Sequence, residues 1–272
     1  MALRAAGHDA QLLPLTTTGD RWSAEGRDAV PDRGLFVKEL EEALLDGRAD
    51  LAVHSAKDLP GELPAGLAVV AVPVREDPRD VLVGPPGGLD ALPAGARVAT
   101  GSPRRAAQLL AARPDLVVAP IRGNVGTRLD KLARGEADAL VLAAAGLRRL
   151  GLAPQGAAPL PVDVCTPAPG QGLLAVEGRR DDPAAAAAAA ALDDAGAHAC
   201  LRAERALLSA LGGGCMQPVG ALCEAVGGGL RMTAFAGSED GTRGERVTVE
   251  GDAADPDALA REAAAALGAV RR

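Results

Sequence analysis

The chain has 272 residues, 48% of them hydrophobic and 24% charged, enough apolar side chain for two or three compact domains. No run of about 18 uncharged apolar residues occurs and MALRAAGHDA lacks the apolar stretch of a signal peptide, so no membrane association is expected and the cytoplasm is the default. Aromatics at 1% argue against base stacking on nucleic acid, and four cysteines without a CxxC pair or a histidine at zinc-finger spacing argue against a metal site.

In chain order, QLLPLTT reads as a strand, GLFVKELEEALLDG as a helix closed by Gly47, and ADLAVHS as a second strand. LAVVAVPV is a further strand before the charged turn REDPRD, where the chain can cross into another domain. From Val81 the pattern restarts as DVLVG, then ARVATGS into PRRAAQLLAAR, LVVAPIRG into NVGTRLDKLARG, and ADALVLAAAG into LRRLG. Such strand-to-helix units predict a parallel sheet with helices on its faces, and ligands then bind outside the carboxyl ends of the strands. After PAPGQG comes the short strand LLAVEGR, and Asp182 with Pro183 opens the alanine run Ala184 to Ala191 as a capped helix. The tail holds helix HACLRAERALLSAL, loop GGGCMQP, strands VGALCEAV, LRMTAFAG and ERVTVEG with hairpin-type turns, and a helix from Pro256. It reads as a small α+β domain.

Charge is uneven: the chain carries −7 overall, but residues 101–150 carry +5, almost wholly from arginine. Three strand ends each deliver arginines: Arg104 and Arg105, then Arg122 and Arg128 flanking Gly123-Asn-Val-Gly126, then Arg148 and Arg149. Helix N-termini there would add backbone donors, so these ends read as a site for carboxylate or phosphate. Ordinary surface arginines are the plainer alternative, disfavoured because cations sit poorly at the positive end of a helix dipole. Asp58, in VHSAKDLP just after a strand, is a candidate acid, although Asp58 beside Lys57 is also what a solvated surface pair looks like. His54 reads as structural. Cys215 lies in a loop whose glycines let a large group approach the sulfur, but a glycine-rich helix stop explains the same glycines.

VHSAKDLP, GSPRRAAQL, RGNVGTRLDKL, AAAGLRRLG, PAPGQG and GGGCMQPVGA stand in the order and spacing of the porphobilinogen deaminase family, which the chain resembles from about Thr16 to its C-terminus. The resemblance implies an α/β fold class, with two periplasmic-binding-protein-like α/β domains (1–73 with 173–192, and 74–172) and a small α+β C-terminal domain (193–272). It implies a monomeric transferase that condenses four porphobilinogen molecules into hydroxymethylbilane. Cys215 would carry a dipyrromethane through a thioether, and Asp58 would assist loss of ammonia and stabilise the resulting cation. Ser55, Lys57, Thr100, Ser102, Arg104, Arg105, Arg122, Arg128 and Gln171 would face the cofactor, and Arg149, Arg33 and Phe36 the substrate.

Three departures stand out. The family's threonine-serine-serine-leucine before the arginine pair reads Thr100-Gly-Ser-Pro103, and its glycine-glycine-lysine reads Pro31-Asp-Arg33, where Arg33 can replace the lysine's charge. The family also begins with a strand and an arginine-x-serine turn ahead of a long helix, inside which this chain starts. The first domain is therefore expected to lack a strand and one substrate-binding arginine, and an inactive truncated homologue is one alternative. A non-catalytic two-lobed binding protein for a small organic anion is the other, and Cys215 distinguishes them because such a protein needs no tethered cofactor. Neither GxxxxGK[ST] nor GxGxxG occurs, which argues against a nucleotide enzyme.

Overall fold

The computed structural model describes residues 2–19, 37–212, 218–238 and 240–270. The first part runs α1 (Ala2–Ala5), α2 (Lys38–Leu45), β1 (Leu51–Ser55), β2 (Leu67–Ala71), β3 (Asp80–Val83), β4 (Arg97–Ala99), α3 (Pro103–Ala112), β5 (Val117–Ala119), α4 (Val125–Ala133) and β6 (Ala139–Ala143). There follow α5 (Ala144–Arg149), β7 (Ala157–Pro159), β8 (Leu174–Arg179), α6 (Pro183–Ala190), α7 (Ala195–Ala210), β9 (Val219–Val226), β10 (Gly229–Gly237), β11 (Gly244–Asp252) and α8 (Pro256–Val270). The fold class is α/β with a small α+β unit at the C-terminus.

QLLPLTT does not form the expected strand: residues 11–17 are irregular. Leu12 is 93% exposed and Leu13 51%, and Pro14 has no N–H, so the segment offers neither a buried face nor a full row of donors. Helix α2 buries Ala43 and Leu44, and Gly47 ends it at φ 76°. The first sheet has the order β1-β8-β2, antiparallel throughout, with β8 buried on both faces between two apolar clusters. Asp182 caps α6 as expected, accepting from Ala185 N at 2.9 Å.

The second sheet has the order β5-β4-β6-β3-β7, and here the parallel expectation is corrected: β4 runs parallel to β5 and β6, whereas β3 is antiparallel to both β6 and β7. Helices α3 and α4 return the chain between β4, β5 and β6, which makes those three parallel. Strand β3 instead enters directly from the first sheet through residues 72–79, and its direction sets Asp80 opposite Ala143. Its first residue therefore lies at the carboxyl end of the parallel strands. Run the other way, β3 would carry Asp80 about 10 Å off, to the far end.

The third sheet, β11-β10-β9, is an antiparallel meander packed on α7 and α8 around a core of Leu207, Met232, Leu259 and small residues. Gly227 and Gly228 (φ 59° and 85°) form the two-residue turn between β9 and β10, which needs positive φ at both positions. Glu204 of α7, fully buried, pins this unit to both segments that cross between the first two sheets. It accepts from Arg75 Nη2 at 2.6 Å, Gly170 N at 2.6 Å and Cys223 N at 2.7 Å. The crossing segments also bond to each other, Glu76 N to Gly172 O at 3.1 Å.

Candidate functional site

Strand β1 ends at Ser55, and Ala56–Asp58 forms a single helical turn held by Ala56 N donating to Leu173 O at 3.1 Å. The PAPGQG turn packs directly on it: Gly170 has φ 77°, and a Cβ there would stand 2.9 Å from Ala56 C and Lys57 N. Asp58 keeps solvent-accessible surface, yet protein crowds its carboxyl closely enough that desolvation raises its pKa against the pull of Lys57 and His54. Among the described residues no group donates a hydrogen bond to Asp58. Burial pushes the Lys57 ammonium's pKa down, with Arg105 and Arg104 adding to the effect and Asp58 and Asp80 opposing it. Beneath this turn His54 Nε2 lies 3.0 Å from Glu177 of β8, both side chains buried.

The start of α3 is built by its own hydroxyls: Thr100 Oγ1 accepts from Ser102 N at 3.1 Å, and Ser102 Oγ caps Arg105 N at 3.4 Å. Arg104 and Arg105 then turn inward, 4% and 7% exposed, onto Asp80. Arg104 Nη1 donates to Asp80 Oδ2 at 2.8 Å and to Thr166 O at 2.6 Å. Arg105 donates to Asp80 Oδ1 through Nε at 3.0 Å and Nη2 at 2.7 Å, and through Nη1 to Val141 O at 3.0 Å. Gln171 Nε2 adds a bond to Asp80 Oδ1 at 2.9 Å and one to Pro78 O at 2.7 Å, leaving its own Oε1 buried and unpartnered. Burial alone would raise the Asp80 pKa, but the two guanidiniums outweigh it and hold the carboxyl well below the usual range. The adjoining Cys165 thiol is pushed up to about 12, first by burial and then by Asp80, and is chemically inert.

The other strand-end arginines are differently placed. Among the described residues the Arg122 guanidinium bonds to nothing; it is exposed and lines a cavity of about 660 Å³ with Arg97, Lys131 and Glu136. Arg128 Nε donates to Gly123 O at 2.7 Å, and Arg149 Nη2 to Gly172 O at 2.8 Å. Neither has a carboxylate at ion-pair distance among the described residues, and burial lowers both pKa values, with Arg105 and Arg122 adding to the effect at Arg128. Arg148 is already paired, with Glu76 at 2.7 Å and Asp77 at 3.0 Å. Arg148 and Arg149 occupy the last turn of α5, where the helix dipole favours cations, so the dipole argument for a ligand does not apply to them.

Arg33, Phe36 and Cys215 lie outside the described residues. The strand after the cysteine loop is anchored to the arginine cluster, since Ala221 N donates to Pro167 O at 2.8 Å, next to the Thr166 carbonyl that Arg104 uses. Two residues escaped the sequence reading. Asp80 reads in the sequence as part of the turn REDPRD, although an acid opening the fully buried strand DVLV must find cations. Glu204 falls on the apolar stripe of α7 with Cys200, Leu201, Ala203 and Leu207, a position where a charge needs partners.

A dipyrromethane presents two carboxylates per ring and ring N–H donors. Unused N–H groups of Arg104, Arg122, Arg128 and Arg149 suit the former, and Asp58 with the orphaned Gln171 Oε1 suits the latter, so the residues present fit such a group.

The family described as porphobilinogen deaminase, dipyromethane cofactor binding domain, matches residues 1–187, and the porphobilinogen deaminase C-terminal domain matches residues 198–269. The porphobilinogen deaminase of Roseiflexus sp. (strain RS-1) is 51% identical over 89% of this chain and 80% of its own length. That of Rubrobacter xylanophilus is 49% identical over 99% of this chain and 90% of its own. Among solved structures, a TRAP periplasmic solute binding protein from Desulfovibrio salexigens superposes with a TM-score of 0.37 at 16% identity, over 61% of this chain and 59% of its own, too slight a likeness to carry an argument.

Proposed function

The chain belongs to the porphobilinogen deaminase family, and from that premise we propose how its own residues carry the reaction. It is a transferase that condenses four porphobilinogen molecules stepwise, with loss of ammonia, into linear hydroxymethylbilane. A covalently bound dipyrromethane supplies the first two rings and the ring position at which the chain grows. Cys215 forms the thioether to it. Arg122 and Arg128, with the unused N–H groups of Arg104 and Arg105, orient its carboxylates, helped by Ser55, Lys57, Thr100, Ser102 and Gln171. Arg149, Arg33 and Phe36 receive the incoming porphobilinogen.

Asp58 does the electrostatic work. The amine of porphobilinogen must leave as ammonia, and positive charge then rests on the pyrrole ring. A carboxyl with a raised pKa can give a proton to the leaving amine and, once ionised, oppose that charge. The observation that supports this role is the state of the Asp58 carboxyl: no hydrogen-bond donor among the described residues, and a pKa raised against the pull of Lys57 and His54. The protein works as a cytoplasmic monomer on a small molecule. Among the described residues no helix is long and apolar enough to cross a membrane.

Denaturing mass spectrometry of protein from cells that make porphobilinogen tests the assignment. The wild type should carry two pyrrole units and Cys215→Ser none, while Asp58→Asn should keep the adduct and lose most turnover. An unmodified wild type would remove the basis for this function, and normal turnover by Asp58→Asn would remove the role of Asp58.

A further inference from the structure

We propose that Asp80 is a positioning residue for the arginine pair: it presets Arg104 and Arg105 so that the N–H groups it leaves unused face the carboxylates of the dipyrromethane. This rests on the family reaction above. Asp80 is wholly buried, and its two oxygens divide their work. Oδ1 takes both N–H groups along the Nε–Nη2 edge of Arg105, together with Gln171. Oδ2 takes only the Nη1 tip of Arg104, together with the Cys165 thiol at 3.3 Å. The division leaves Nε and Nη2 of Arg104 without a hydrogen-bond partner among the described residues. That edge is the one that receives a carboxylate through two parallel bonds.

An ion pair serving stability alone has no reason to spare the stronger edge of a buried guanidinium. Thr166 O accepts from the same Nη1 of Arg104 that bonds Asp80, and Val141 O accepts from Nη1 of Arg105 on the side away from Asp80, so neither guanidinium turns without breaking bonds. Two guanidiniums against one carboxylate leave the cluster with one positive charge, which an incoming carboxylate completes. Gln171 extends the same hydrogen bonds into the PAPGQG turn that packs on Ala56 and Lys57, the residues just before Asp58, so Asp80 is tied through this turn to the segment that carries the acid. The competing reading makes Asp80 a placeholder that occupies the arginines until the ligand displaces it. The two readings predict opposite effects of removing its charge.

The test uses cofactor-free chain from cells unable to make porphobilinogen. Wild type, Asp80→Asn and Asp80→Glu are incubated with porphobilinogen at a temperature where circular dichroism shows each folded, and intact mass follows the gain of the adduct. Asp80→Glu keeps the charge but misplaces it by a methylene, and both variants should load about ten-fold or more slowly than wild type. Faster loading by Asp80→Asn would establish the placeholder and overturn positioning. Wild-type loading by Asp80→Glu would show that charge balance alone matters. If Asp80→Asn does not fold, Asp80→Glu decides, and failure of both to fold would assign Asp80 to the core and overturn the proposal. A wild type that gains no adduct sinks the family reaction along with it, whereas variants that match a loading wild type sink this proposal only.

Discussion

Asp58 and Asp80 are the same residue type and each has cations nearby, yet Asp80 is wholly buried, Asp58 keeps exposed surface, and their carboxyl groups are shifted in opposite directions. Asp80 receives donors from Arg104, Arg105, Gln171 and Cys165, and the anion is held ionised. Among the described residues Asp58 receives none, and burial therefore prevails over the attraction of Lys57. Desolvation is common to both; hydrogen bonding to the charged form separates them. A chain that needs one permanent anion and one acid free to react builds both from aspartate by giving all the donors to one of them.

The sharpest way to break this comparison is to unbalance the Asp80 side. Arg105→Ala leaves a buried carboxylate with half its cations, and stability should fall by about 3–5 kcal/mol in denaturant titrations. Arg122→Ala, which removes an exposed and unpaired guanidinium, should stay within about 0.5 kcal/mol. Equal losses would mean that the ion pairs around Asp80 contribute no more than an exposed side chain. A smaller effect is expected at Arg246 of β11, whose guanidinium donates to Gln108 Oε1 at 2.9 Å and Thr166 Oγ1 at 2.8 Å and so props the arginine pair from the third sheet. Arg246→Ala should cost about 1–2 kcal/mol. No loss would show that the C-terminal unit does not support the cluster.

The smallest effect has the most telling sign. Because the folded-state pKa of Asp58 is raised, the native state binds the extra proton and stability declines as pH rises through that value. At pH 7 the ionised carboxyl is a burden, so Asp58→Asn should melt about 1–3 °C above wild type once solvent screening is allowed for. The two proteins should converge below about pH 4, where the unfolded carboxyl also becomes protonated. Asp80 works the other way: its depressed pKa contributes stability above the unfolded value, lost as pH falls toward the folded one. A lower melting temperature for Asp58→Asn at pH 7 would mean that Asp58 is held by structural bonds, as Asp80 is.

Much of the chain was legible beforehand. The strand and helix runs from Leu51 to Ala143, the Asp182 cap on the alanine helix, and the two-glycine hairpin turn follow from periodicity and capping, which are properties of near neighbours. The segment QLLPLTT misled because alternating apolar residues favour a strand only where another strand is present to bond it. The dipole argument does not hold at Arg148 and Arg149 because a strand-to-helix unit does not state how short its helix is, and a six-residue α5 puts its arginines at the negative end.

By itself the sequence determined the order of the motifs, the family, and hence the reaction and its dipyrromethane cofactor, since each motif is a short run that can be recognised without knowing what lies beside it in space. Only the tertiary structure decided which arginines are already neutralised. That division depends on β3 running antiparallel to β6, which brings Asp80 to the carboxyl ends of the parallel strands and onto Arg104 and Arg105, while Arg122, Arg128 and Arg149 have no carboxylate within ion-pair distance among the described residues. Strand direction is set by the route of the chain between sheets and leaves no mark in the local pattern of residues, whereas the cost of burying an unpaired charge makes its outcome decisive for the site.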